Sequence, residues 1–142
     1  MLLLDVNIVV YAFRADSPRH SEYKAWLEDR LAGQEPVGVS DLVLSGALRV
    51  LTHPRVFVPP TPLPDALHFI AALRSRSNCV IVNPGSRHWD IFSRLCTQGA
   101  AKGNMIADAY HAALAIEHGC EWITADRGFA RFPGLRWRSP FE

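Results

Sequence analysis

LLLDVN, residues 2–7, decides how this chain is read: three leucines make a short apolar run, and Asp5 and Asn7 close it. Such a run suits a strand over residues 2–6, buried on both faces in a parallel sheet whose carboxyl end opens into a loop or helix. Ligands of such sheets bind at the carboxyl ends of the strands, so Asp5 stands where function is expected. Two further aspartates occupy comparable places. Asp108 lies early in the amphipathic stretch NMIADAYHAALAIEHG (104–119), and Asp126 follows the apolar run WITAD (122–126). Carboxylates gathered at one point repel one another unless a hard divalent cation lies between them, and oxygen-only ligation favours magnesium or manganese. The three aspartates therefore predict a metal site, and a hydrolytic one.

Outward from that stretch, short apolar runs alternate with helical patterns. A helix is expected from Pro18 to Leu31, with Ser17 as N-cap, Pro18 at its first position and Gly33 just beyond. PVGVS (36–40) supplies a second strand, and Asp41 caps a helix running to about Thr52. VFVPPTPLP (56–64) reads as an extended connection. A helix over Pro64–Arg76, a strand over 79–83 and a helix capped by Ser86 and ending near Gly99 follow. The stretch from Asn104 to His118 carries an apolar stripe at Met105, Ala109, Ala112, Ala113 and Ile116, and Gly119 ends it. EWIT is a strand, Asp126 caps a short helix through Ala130, and LRWR is a last edge strand. The alternation predicts an α/β sandwich on a mainly parallel sheet.

Composition narrows the class. A chain of 142 residues, 49% hydrophobic and 20% charged, is expected to form one domain with a packed core. No secretory signal is legible in MLLLDV, and no apolar stretch approaches the roughly 20 residues that span a bilayer, so a soluble, cytoplasmic protein is expected. Three cysteines without C-x-x-C spacing argue against a disulfide framework or zinc knuckle, and the six histidines show no H-x-H or HExxH spacing. A net charge of +1 gives no electrostatic argument for nucleic acid, although 13 of the 15 basic residues are arginine.

The hydrophobic-Asp-x-Asn opening, Asp108 within a helix and the Thr-x-Asp of Thr124 and Asp126 resemble, in this order, the motifs of PIN-domain nucleases. LRVLTHPRVF, GNMIADAYHAALAIEHG and TADRGFARFPGLRW are similar to the VapC-type toxins among them. The resemblance covers nearly the whole chain. It implies a single PIN-like domain over residues 1–142, built as a three-layer α/β/α sandwich with a mainly parallel central sheet. It also implies a Mg2+- or Mn2+-dependent endoribonuclease acting on a structured RNA such as transfer RNA, neutralised by a VapB-like antitoxin whose tail directs an Arg or other polar group at the acidic pocket. A homodimer is the usual state of the family, and no membrane is involved.

Carried over residue by residue, Asp5 and Asp108 are the principal metal ligands and Asp126 binds metal directly or through water. Asn7 and Thr124 orient carboxylates or waters. Asn104 and Arg49 are candidates for substrate contact, with a helix cap as the alternative for Asn104, and Arg127 and Arg131 could reach phosphates. His111, like Asn104, lies within one turn of Asp108 and could touch RNA phosphate; a packed or surface histidine is the preferred reading. One departure stands out: in VLSGALRV, Gly46 occupies the place where many VapC-type proteins carry a glutamate. Ser45, Asp41 or a water could compensate. A non-catalytic PIN-like binding module is the competing reading, and a DNA-directed nuclease a third.

Overall fold

In the computed structural model, which describes residues 1–142, the leucine run forms strand β1 (Leu2–Leu4), buried along its whole length. The strand is shorter than expected because helix α1 (Val6–Phe13) already begins after Asp5. Asp5 is the cause: its backbone is extended and its Oδ1 accepts the Val6 N–H at 2.6 Å, as an N-cap does. Val6, Ile8, Val9 and Val10 favour a strand locally, but burial of Ile8, Val9, Val10 and Ala12 on the helix outweighs that preference.

Helix α2 (His20–Ala32) starts two residues later than the pattern suggests. Ser17 does not cap it; the hydroxyl donates to the carbonyls of Arg14 and Tyr11, and Arg19 enters the helix at φ 55°. Strand β2 (Val37–Val39) leads to α3 (Asp41–Leu51), whose cap is Ser40, accepting from the Val43 N–H at 3.0 Å. Asp41 instead pairs with Arg74 at 2.5 Å. Helix α4 (Leu63–Arg74), strand β3 (Cys79–Ile81) and helix α5 (His88–Gln98) come next. Ser86 gives α5 no cap; the Glu117 carboxylate reaches across to accept the N–H groups of Gly85 and Arg87. Helix α6 (Asn104–His118) has the expected bounds, with Gly119 at φ 64° closing it. Strand β4 (Glu121–Ile123), a 3-10 helix (Arg127–Arg131) and strand β5 (Trp137–Arg138) complete the chain.

The strands form one sheet in the order β3-β2-β1-β4-β5, and every neighbouring pair is parallel. Leu2 lies opposite Val37 on one side and Glu121 on the other. Helices α1–α4 pack on one another, as do α5 and α6, and the right-handed crossovers that parallel strands require put the two groups on opposite faces of the sheet, consistent with the burial of β1 on both faces. The chain moves outward from β1 through β2 to β3, then returns to β4 on the opposite side of β1. The order therefore reverses between β1 and β4, and the carboxyl ends of these two strands open on the crevice where doubly wound sheets bind ligands. No helix is long and apolar enough to cross a membrane.

Gly46 has a packing role. A Cβ built on it would lie 2.9 Å from Cγ2 of Val6, so the glycine lets α3 lie close against α1. Val6 is β-branched and cannot easily swing aside. A glutamate is therefore not accommodated at this place. Neither proposed substitute takes over: Asp41 is engaged with Arg74, Ser45 is exposed, and neither lines the cleft between β1 and β4.

Candidate active site

The crevice at the β1/β4 switch point is a cleft of about 600 Å3. Asp5 and Asn7 enter from the end of β1 and the start of α1, Asn104, Asp108 and His111 from α6, Asp126 from the loop after β4, and Arg49 from α3. All three aspartates singled out in the sequence thus line one cavity, together with Asn7, Asn104 and Arg49. Thr124 lies behind them, wholly buried.

Asp5 is the most tightly specified of the three and is only 7% exposed. Its Oδ1 accepts from the Val6 N–H at 2.6 Å; its Oδ2 accepts from the Thr124 hydroxyl at 2.6 Å and from Asn7 Nδ2 at 3.1 Å. Of roughly four lone-pair positions on a carboxylate, three are filled and one on Oδ1 remains. Thr124, by contrast, is saturated: while donating to Asp5, its Oγ1 accepts from the Asp126 N–H at 2.9 Å and from Asn7 Nδ2 at 3.3 Å. Asn7 Oδ1 closes the circuit by accepting the Ala125 N–H at 3.1 Å. The network ties the end of β1 to the end of β4. Burial pushes the Asp5 carboxyl up to about 6 although the Thr124 and Val6 hydrogen bonds pull it down, and Asp108 and Asp126 add to the rise.

Asp108 is held more loosely, its side chain 26% exposed and Arg131 Nη2 3.6 Å away. Its carboxyl is raised above the ordinary value by burial, with Arg131 pulling back and Asp126 adding to the rise. Asp126 is exposed and spends Oδ1 on the Gly128 N–H at 2.8 Å, capping the 3-10 helix as expected. Asn104 does not cap α6. Gly103 occupies the cap position at φ 58°, and Asn104 is the first helical residue, free to face the cleft. Arg127 is outside the cleft, paired with Glu142.

No three acidic, histidine or cysteine side chains come within mutual ligating distance, so the carboxylates share a cleft without closing a ready-made cage. Their chemistry fits magnesium nonetheless. The donors are oxygen only, Asp5 keeps one lone pair, and the Asp5 and Asp108 carboxyls are lifted chiefly by burial, with neighbouring aspartates adding to the rise. Magnesium characteristically keeps several waters and takes only one or two protein carboxylates.

Sequence reasoning missed the apolar part of the lining. Tyr11 and Val10 of α1, Val50 of α3, and Val56 and Phe57 of the proline-rich connection give the cleft an apolar side. Arg14 lies over the Phe57 ring, 4.5 Å from its centroid, and holds it in place. No motif marks these residues, and the 56–64 run reads from sequence only as an extended connection. Acidic and apolar lining in one cleft suits a ligand with both an anionic backbone bridged by cations and flat apolar groups.

The PIN domain profile matches residues 2–135. A VapC ribonuclease of Mycobacterium bovis is 46% identical over 142 residues, covering 100% of this chain and 97% of its own. Among solved structures, VapBC2 from Rickettsia felis, bound to a DNA fragment from its promoter, superposes with a TM-score of 0.73 at 20% identity, covering 97% of both chains. VapC20 of Mycobacterium tuberculosis, described as a sarcin-ricin loop cleaving toxin, gives a TM-score of 0.66 at 17% identity over 96% of this chain and 99% of its own. The chain belongs to the PIN-domain family and, within it, to the VapC ribonucleases.

Proposed function

We propose that this chain, as a single PIN domain, is an endoribonuclease toxin that uses Mg2+ or Mn2+ to hydrolyse phosphodiester bonds of a structured RNA such as a transfer-RNA loop. It works in the cytoplasm as a homodimer and is silenced by a VapB-like antitoxin. The observation that carries the reading is the meeting of Asp5, Asp108 and Asp126 in one cleft at the β1/β4 switch point, in a chain 46% identical to a VapC ribonuclease.

Asp5 would hold the ion through its remaining Oδ1 lone pair, Asp108 would join from α6, and Asp126 would contribute directly or through water. When bound, the ion supplies a water activated near neutral pH and relief of charge at the phosphoryl oxygens. The protein supplies the rest. The Asn7–Thr124 network fixes the Asp5 carboxylate before substrate arrives, so no reorganisation is needed at the moment of reaction. Arg49 draws the phosphate backbone toward the cleft. Tyr11 and Phe57 accommodate the flanking bases, because aromatic faces tolerate any base. A basic side chain of an antitoxin tail is complementary to the acidic wall, which is how the inhibitor would compete. Close packing of Gly46 on Val6 gives the glycine a structural reason, so its presence is not by itself an argument for a non-catalytic module.

The test is incubation of the purified chain, free of any partner, with total cellular RNA and manganese or magnesium, followed by sequencing of new 5′ ends. Discrete cuts are expected that vanish with EDTA and in Asp5→Ala. Intact RNA with folded, metal-supplied protein would refute the reading.

A further inference from the structure

His111 is the one buried titratable group in the cleft that this mechanism leaves without work. It lies one turn beyond Asp108 on the same face of α6, is only 8% exposed, and lines the cleft. Its ring stacks on Trp122 of β4, with centroids 5.3 Å apart and planes 19° from parallel. Nδ1 is sealed from solvent with no hydrogen-bond partner, so Nε2 is the nitrogen left to face the cavity.

The proton's place follows from the surroundings. Trp122 Nε1 is also sealed without a partner, and an indole nitrogen can only donate. A proton on Nδ1 would be an orphaned donor with nowhere to go beside the Trp122 indole, whereas a proton on Nε2 can be given to water or ligand in the cavity and leaves only an unpaired acceptor at Nδ1. The neutral ring therefore carries its proton on Nε2. Burial, which lowers the His111 pKa to about 4, keeps it uncharged at neutral pH. An uncharged donor is what this position requires. An imidazolium one turn from Asp108 would repel the cation that the carboxylates attract, while a neutral N–H can polarise a reacting oxygen without that penalty.

We infer that His111 is a substrate-contacting residue, whose neutral Nε2–H donates a hydrogen bond to a nonbridging oxygen of the RNA phosphodiester held against the carboxylates. The inference rests on the ribonuclease reading of this cleft. Packing alone does not account for the residue: a leucine would fill the site beside Trp122 without leaving a buried nitrogen unpaired.

The experiment uses the full-length chain with manganese and an oligoribonucleotide spanning a mapped cut. His111→Leu and His111→Gln are compared with wild type in single-turnover rate, in half-saturating RNA concentration and in thermal melting. Loss of one hydrogen bond to a charged acceptor corresponds to a fall of roughly 10- to 100-fold in the saturated rate of the Leu variant. Half-saturation should change little, melting temperature should hold or rise, and the Gln variant, which keeps an N–H, should recover part of the rate. Each nonbridging oxygen at the scissile linkage is then replaced by sulfur in turn. One diastereomer should slow the wild type more than it slows His111→Leu, because the variant has already lost that contact. Equal sulfur effects in both proteins, or a folded Leu variant with the wild-type rate, would overturn the assignment of His111 alone. Failure of wild-type protein to cut any RNA would instead bring down the ribonuclease reading and this inference with it.

Discussion

The two walls that carry the carboxylates are built on different principles. At the strand ends, Asp5, Asn7 and Thr124 form a closed circuit in which Thr124 uses every hydrogen-bonding position and Asp5 keeps one lone pair. Outside that circuit the carboxylates are looser: Asp108 on α6 is half-buried and meets only Arg131, at 3.6 Å, and the Asp126 side chain, on the loop after β4, stands in solvent with only the Gly128 N–H on its Oδ1. The first wall is preorganised and the second adjustable. A cation needs one fixed ligand to define its place and others able to move in, so the rigid wall should govern whether the site works and the mobile wall how tightly it closes.

The largest test is removal of charge from each wall. Asp5→Asn keeps an oxygen for the Val6 N–H but removes the fixed negative charge, and cleavage should fall roughly 10³-fold or more, the scale of losing a preorganised electrostatic contact. Asp126→Asn retains the cap to Gly128 and should cost less. Rates measured side by side at saturating manganese decide this; an equal loss at both positions would mean the walls are not distinct.

The same contrast predicts opposite pH slopes for stability in metal-free protein. The folded state holds a proton on Asp5 up to about pH 6, whereas the unfolded chain releases it near pH 4. Asp5 therefore favours the fold at low pH, and its contribution of about 3 kcal/mol is lost as pH rises through that window. His111 acts in the other direction. It stays neutral when folded down to about pH 4, while the unfolded chain takes up a proton below about 6.5, so stability falls as pH drops. In wild type the two slopes offset one another. Urea unfolding in EDTA at pH 4.5 and 7.5 should show Asp5→Asn gaining stability with rising pH relative to wild type, and His111→Leu losing it. Parallel pH profiles for all three proteins would refute the opposition.

Thr124→Val probes the circuit itself. Valine matches the shape but strips a donor from Asp5 and an acceptor from the Asp126 N–H and Asn7 Nδ2. Removing one partner from buried polar groups costs about 1–3 kcal/mol, and activity should fall with it because Asp5 is no longer held. Thr124→Ser, which keeps the hydroxyl, should restore most of both. Val and Ser variants of equal stability would show that the circuit is not what fixes Asp5.

What the sequence disclosed divides along the same line as the walls. Aspartates at strand ends and on a stripe-bearing helix are local patterns, so Asp5, Asp108 and Asp126 were placed correctly, as was α6 with Gly119 closing it. Helix α1 was hidden because its β-branched residues favour a strand until their burial is known. The cap of α5 was misassigned to Ser86 because the true acceptor, Glu117, arrives from about 30 residues away. The apolar wall was invisible for a similar reason: Val56 and Phe57 become cleft residues only when the proline-rich connection folds back toward α1. For His111 the sequence offers only its spacing from Asp108, from which a packed histidine is the preferred reading; the unpaired nitrogen beside Trp122 is visible only in the fold.

Gly46 gives the smallest effect and separates two accounts of how α3 meets the cleft. If the glycine stands for a lost ligand, Gly46→Glu should improve metal binding and cleavage. If it exists so that α3 can approach α1 and carry Arg49 and Val50 to the cleft, any side chain there should do harm. Alanine isolates the packing effect. Helix propensity alone would make Gly46→Ala stabilising by about 1 kcal/mol, but its Cβ meets Val6 Cγ2 at 2.9 Å, and overpacking of this kind costs about 1–3 kcal/mol. A small net loss is expected for Gly46→Ala, with a larger one and no gain in activity for Gly46→Glu. In a Val6→Ala background the obstructing methyl is gone, so the same Gly46→Ala exchange should become neutral or stabilising. That reversal of sign, read from denaturant midpoints of the four proteins, is a coupling between α1 and α3 that a missing ligand cannot produce.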